Sequence, residues 1–187
     1  MTFGYEAQSE AEPLTPEQEA SLRQIYLKQA PVVMAQYANA QNDYEAFTFM
    51  ARAAAAAFHL AQFDEARQLA ERALALAPSY RDDWNYGNAI HLGHTVLGLL
   101  ALQSGDAATA IAELHASGDT PGSPQLLSFG PTMHLAKSLL KAGHVTPVLE
   151  YLQQCRVFWR MAGVWPDLWE QKIRAGGIPN FFQHCFV

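Results

Sequence analysis

The sequence has little cysteine: Cys155 and Cys185 are the only two in 187 residues. That count excludes a disulfide framework, and the two lie too far apart for metal-ligand spacing. Charge is also scarce, at 16% of residues, and it is unbalanced, with twelve Lys and Arg against eighteen Asp and Glu for a net of -6. The basic residues stand singly, so no run can track a phosphate backbone and nucleic acid is excluded as an expected partner. No window approaches about 18 uninterrupted apolar residues, and no basic segment followed by an apolar one opens the chain. The expectation is a cytoplasmic chain with no membrane partner. Alternating apolar and polar residues are missing too, which excludes a β-sheet protein. There is no Gly-x-Ser-x-Gly, no phosphate-cradling glycine loop, no His-Glu-x-x-His and no Cys-x-x-Cys. The expectation is therefore a non-catalytic protein without a cofactor.

What is present is helix-forming and half hydrophobic, at 50% of residues, so the chain has ample material for one core. The organising stretch is 60–78, with small residues at Ala66, Ala70 and Ala73 and a closing Pro78. Its pattern reappears twice. Ala54, Gly98 and Ala136 align as the small residue of a first helix, Ala61, Gly105 and Gly143 as the turn, and Ala66, Ala110 and Val148 as the tight contact of a second helix, at separations of 44 and then 38 residues. Ala70, Leu114 and Leu152 coincide in the same register, as do Ala73, Ser117 and Cys155. Two antiparallel helices on a short turn approach closely only where side chains are small, so Ala and Gly recur where backbones cross. This pattern resembles the tetratricopeptide (TPR) repeat. Departures are visible: the usual repeat is about 34 residues, and the aromatic usual later in the first helix is replaced by Ala57, Ala101 and Leu139.

The reading along the chain is a loose lead-in over 1–14, then a single helical domain over 15–187. Thr15-Pro16-Glu17-Gln18 carries the elements of a capping box, and Pro31 is expected to end or kink the helix that follows. Repeats are placed at about 44–78, 89–117 and 131–159, with a C-terminal cap at 160–187 that includes a helix over 166–174 and an extended tail. The stretch 117–131 holds three prolines and three glycines in fifteen residues. It is expected to be a packed, non-helical loop with Leu126, Leu127 and Phe129 turned inward. Trp159, Trp165 and Trp169, with Phe158, Phe181, Phe182 and Phe186, are expected to cover the end of the stack or to form a homo-oligomer surface.

Two site readings follow. His91 and His94, three apart on one helix, could present two imidazoles to a metal, although zinc would need further ligands from His115 or His134. The structural reading, packed histidines without metal, outweighs it. The second is a polar pocket between segments 78–91 and 117–134, with Asp83, Asn85, Asn88, His91, Gln125, Ser128 and His134 as candidate ligand-binding residues. Against it stands plain loop anchoring by the same amides and imidazole.

The segments DDWNYGNAIHLGHTVLG from Asp82 and TPGSPQLLSFGP from Thr120 are similar to distinctive segments of a group of bacterial TPR-like proteins to which no function is attached. The broader resemblance implies an all-α right-handed array of about three α-hairpins, with a peptide or partner protein on its inner face and usually no catalysis. The leading expectation is thus a TPR-like interaction module. The alternative is a small-ligand or metal-binding protein, conceivably a hydrolase, built on the same helices.

Overall fold

The computed structural model describes residues 12, 14–181 and 184–185. The lead-in read over 1–14 lies outside the described residues apart from Glu12 and Leu14, and so do Phe182 and Phe186 of the tail. Among the described residues there are nine α-helices, one short 3-10 turn and no strand. They are α1 (Pro16–Ala38), α2 (Asp43–His59), α3 (Phe63–Leu76), α4 (Tyr86–Gln103), α5 (Ala107–Gly118), α6 (Pro124–Phe129), α7 (His134–Lys141), α8 (Val145–Phe158) and α9 (Trp165–Arg174), with the 3-10 turn at Ala77–Tyr80.

Three antiparallel hairpins, α2/α3, α4/α5 and α7/α8, form the body, and the turns that make them are copies of one another. Ala61, Gly105 and Gly143 all adopt left-handed backbone, at φ of 60°, 85° and 89°. In each case the residue after the turn donates its N–H back to the helix: Gln62 to the Ala57 carbonyl, Asp106 to Ala101 and His144 to Leu139, each at 2.9 Å. The turn residue itself donates to the carbonyl of Phe58, Leu102 or Leu140. These paired bonds satisfy the orphan carbonyls of a helix end, and they require a residue with positive φ at the turn. The register of 44 and 38 residues therefore falls on turns with the same hydrogen-bond pattern and the same left-handed residue. Ala61 is the one copy with a Cβ in the strained region. Ala61→Gly is expected to stabilise the chain by about 0.5–1 kcal/mol, net of the added freedom of the unfolded chain. A lower urea midpoint for that variant would contradict the assignment.

Close packing follows from the small residues. Ala53, Ala54 and Ala57 on α2 and Ala66, Ala70 and Ala73 on α3 are completely buried against one another. A Cβ on Gly98 of α4 would run into Leu135 of α7, so the first helices of the second and third hairpins cross at this glycine. Consecutive hairpins stack: α2 and α3 touch α4, and α4 and α5 touch α7, with α5 also against α8. Beyond α8, Trp169 of α9 is completely buried among Trp159, Phe181 and His184 at ring separations of 5.1–5.6 Å. Arg156 on α8 holds α9 through Asp167 at 2.7 Å and Glu170 at 2.8 Å. Phe158, Trp159, Trp169 and Phe181 thus lie inside the chain's own core, which leaves them unable to form the oligomer surface considered above.

Three expectations need correction. Pro31 neither ends nor splits α1, which runs unbroken through it. The halves on either side of it share a partner: Tyr26 stacks on His59 of α2 at 5.3 Å, while Met34 and Tyr37 pack on the α2/α3 core. Tertiary packing on both flanks outweighs the missing N–H. The stretch 117–131 is not wholly irregular, because Ser123 caps α6 by accepting from the Leu126 N–H at 3.0 Å with Pro124 in the first turn. Of the three apolar residues expected to turn inward only Leu126 is buried, whereas Leu127 is half-buried and Phe129 is 73% exposed. Finally, α4 begins at Tyr86, earlier than the hairpin start placed at 89, so Asn88 lies within its first turn.

Candidate functional site

The first turns of α4 and the connection from α5 to α7 are stitched together residue by residue. Thr120 donates its hydroxyl to the Gly87 carbonyl at 3.2 Å. Ser123 donates to Asn88 Oδ1 at 2.6 Å, and Asn88 Nδ2 donates to Gln125 Oε1 at 3.1 Å. One turn further on, His91 is buried at the centre. The Thr132 N–H donates to its Nε2 at 3.1 Å, which fixes that nitrogen as the acceptor. Nδ1 must then carry the proton, and it donates to the Ser117 carbonyl at 3.1 Å. Burial lowers the His91 pKa to about 4, so the ring is neutral. It acts as a crosslink between α4, the end of α5 and the start of the α7 segment.

This arrangement decides the metal question for the named histidines. Both nitrogens of His91 are taken by backbone groups, and His94 Nδ1 meets Glu113 at 2.7 Å. His115 Nε2 turns to the Pro147 carbonyl at 3.2 Å. The pair His91 and His94 is therefore not a ligand set, and among the described residues no group of three or more His, Cys, Asp or Glu is placed to hold a metal ion. Nor can His91 serve as a general base, since it has no free nitrogen to offer a substrate.

Beside the stitched segment lies a cavity of about 310 Å³. Its floor is α2, which contributes Phe47, Thr48, Ala51, Arg52, Ala55, Ala56 and His59. On one side α1 supplies Tyr26, Gln29, Ala30 and Val33, and on the other α4 supplies Asn88, Ala89, His91 and Leu92, with Asn85 at its cap. Gln125, Leu126, Gly130 and Thr132 close the remaining edge. The space exists because α2 turns its alanine run toward it; larger residues at Ala51 and Ala55 would fill it.

Of the candidate residues, the structure brings Asn85, Asn88, His91 and Gln125 together along this wall. Asp83 stays behind it, accepting from the Tyr44 hydroxyl at 2.9 Å and the Asn85 N–H at 2.7 Å, and so ties α2 to the start of α4. Asn85 Nδ2 reaches Thr48 Oγ1 at 3.4 Å. Ser128 does not belong to the site: the six-residue α6 carries it to a separate depression with Pro121, Val157 and Arg160. His134 is not among the lining residues either. It stacks on His59 at 6.1 Å, and burial with the nearby His59, Lys137 and Arg23 drives its pKa down to about 3. No model of a known protein family, no curated protein and no solved structure matches this chain. Its site must be judged on its own geometry.

Sequence reasoning missed the α1 and α2 walls. Tyr26 and Gln29 gave no signal, since a helix preceding the repeats reads as a cap. Arg52 did give one: it is the single charge within the run from Ala51 to Ala57.

Proposed function

We propose that this chain is a non-catalytic binding protein, a TPR-like stack of α-hairpins whose binding site is the cavity between α1, α2, α4 and the α6 segment. The observation that carries this reading is the bounded shape of that cavity. At about 310 Å³ it sits at the lower end of the range of small-molecule pockets, ~300–1,000 Å³. An extended peptide along the first helices, which the resemblance implies, needs an inner face open past α2, α4 and α7. Here α1 lies on α2 and reaches α7 through Glu19 and Lys137 at 2.6 Å, and the α6 segment is tied down on α4. A small ligand suits this geometry better than a long one. A binding rather than a chemical role is favoured because the central imidazole is spent on backbone anchoring.

The test is occupancy of the cavity by neutral probes. Hexanamide and 3-phenylpropanamide titrated into the labelled chain are expected to shift amide resonances of Ala51, Ala55, Ala89 and Leu126. In Ala55→Leu, whose side chain projects into the space, those shifts should disappear. Unstructured peptides that bind along α7 and survive Ala55→Leu would favour the interaction-module reading instead.

A further inference from the structure

The cavity's charge balance points to the class of its ligand. Resting on the reading that this cavity is the binding site, we propose that it takes a small carboxylate on an apolar body, with the Arg52 guanidinium meeting the charge. Of the twenty residues that line the space, Arg52 is the only one with a permanent charge. None of the chain's eighteen acidic residues is among them. The neighbours of Arg52 three and four positions away on α2 are Thr48, Phe49, Ala55 and Ala56, and the facing residues of α1 include Tyr26, Gln29 and Val33. No acid thus lines the space beside the guanidinium or stands three or four positions from it on α2.

Several cations of this acidic chain stand without an ion pair among the described residues, Arg67 and Arg72 among them, and what distinguishes Arg52 is that it does so at the edge of the cavity. Lys137 is paired with Glu19, Arg156 with Asp167 and Glu170, and Arg174 with Glu170. Arg52 makes no hydrogen bond or ion pair with any described residue, and it stands at the edge of an apolar space. A cationic ligand would be repelled there, and a neutral one would leave the guanidinium without use. A phosphate would call for several donors converging on it, as in Arg clusters or backbone nests. One guanidinium fork in a lining that otherwise holds neutral amides matches a carboxylate, which it can bind through two parallel N–H···O bonds. The rest of the wall, Ala51, Ala55, Leu92 and Leu126, suits a hydrocarbon or aromatic body and not a sugar. At the ~30 Å³ that a water occupies in the liquid, the cavity has room for about ten non-hydrogen atoms.

The experiment uses the full chain and matched pairs: benzoate, phenylacetate, 3-phenylpropanoate and hexanoate, each beside its primary amide, followed by amide chemical shifts. At least one acid is expected to bind about tenfold tighter than its amide, a difference of ~1.4 kcal/mol. Arg52→Gln, a change on an exposed part of α2, should weaken the acid by that factor and leave the amide unchanged, whereas Ala55→Leu should weaken both. Equal affinity of acid and amide, or acid binding that ignores Arg52→Gln, would overturn the carboxylate assignment and leave the cavity reading standing. If no probe of either series shifts a cavity resonance, both fall.

Discussion

Gly87→Ala is expected to destabilise the chain by about 3 kcal/mol or more, enough to shift its urea midpoint far below that of Gly93→Ala in the same helix. A Cβ at Gly87 would collide with the Gly122 backbone carbonyl and would lie 3.1 Å from Thr120 Oγ1. Backbone cannot swing aside as a side-chain tip can. Relief requires lifting 120–123 off α4, which breaks the Thr120 bond to the Gly87 carbonyl and the Ser123 bond to Asn88. Gly93 provides the comparison within the same helix. The atoms nearest to its added Cβ all belong to Leu74, at 2.8 Å for Cγ and 3.0 Å for Cδ2, and that side chain can move. Gly93→Ala also gains about 1 kcal/mol of helix propensity, so its net effect should be small. Because Gln125 and Leu126 follow directly on the lifted segment, Gly87→Ala should also abolish probe binding at temperatures where the helices persist. A Gly87→Ala variant as stable as Gly93→Ala would mean that the α4 start and the α6 segment are not in backbone contact.

The sequence shows the hairpins more clearly than the cavity, for physical reasons. A hairpin is written locally: small residues at the crossing, one residue tolerating positive φ at the turn, and the same spacing again, as at Ala54, Ala61 and Ala66. The capping box at Thr15 is equally local, and it forms, with the Thr15 N–H donating to Gln18 Oε1 at 2.8 Å and the Gln18 N–H to Thr15 Oγ1 at 3.2 Å. The polar wall was partly legible, because Asn85, Asn88 and His91 share one side of a helix start. What decided their roles was not local. Thr132 and Ser117, which occupy the two nitrogens of His91, lie 41 and 26 residues away. Ser128 was misplaced because SPQLLSF reads as loop by its flanking Pro and Gly, while Ser123 and Pro124 start a turn of helix that rotates Ser128 outward. The α1 wall depended on a packing decision at Pro31 that propensity alone points against.

Stability should fall steeply as the pH drops from about 6.5 to about 4, with His91 and His134 each contributing about one proton to the slope. The folded pKa of His91, lowered to about 4 by burial, lies below the ordinary value of 6.5. Between these values the unfolded chain holds a proton that the native chain does not, so stability increases with pH across the window. The contribution of His91 is complete above about pH 6.5 and lost by about pH 4, amounting to roughly 3 kcal/mol. Below that both states are protonated and no further change comes from this residue. His134, lowered to about 3 by burial and by nearby positive groups, acts in the same direction over the whole of that window and carries the decline on to about pH 3. The structural reason for the penalty is specific: a second proton on His91 would set a donor against the Thr132 N–H, which now donates to Nε2. His91→Gln, which keeps one donor and one acceptor, is expected to flatten the dependence by about one proton between pH 4 and 6.5, as read from urea midpoints across that range. His91→Ala instead leaves the Ser117 carbonyl and the Thr132 N–H unsatisfied beside a hole, and should cost about 2–4 kcal/mol at neutral pH. An unchanged slope in His91→Gln would show that the imidazole is not the neutral crosslink joining α4 to the segments on either side of α6.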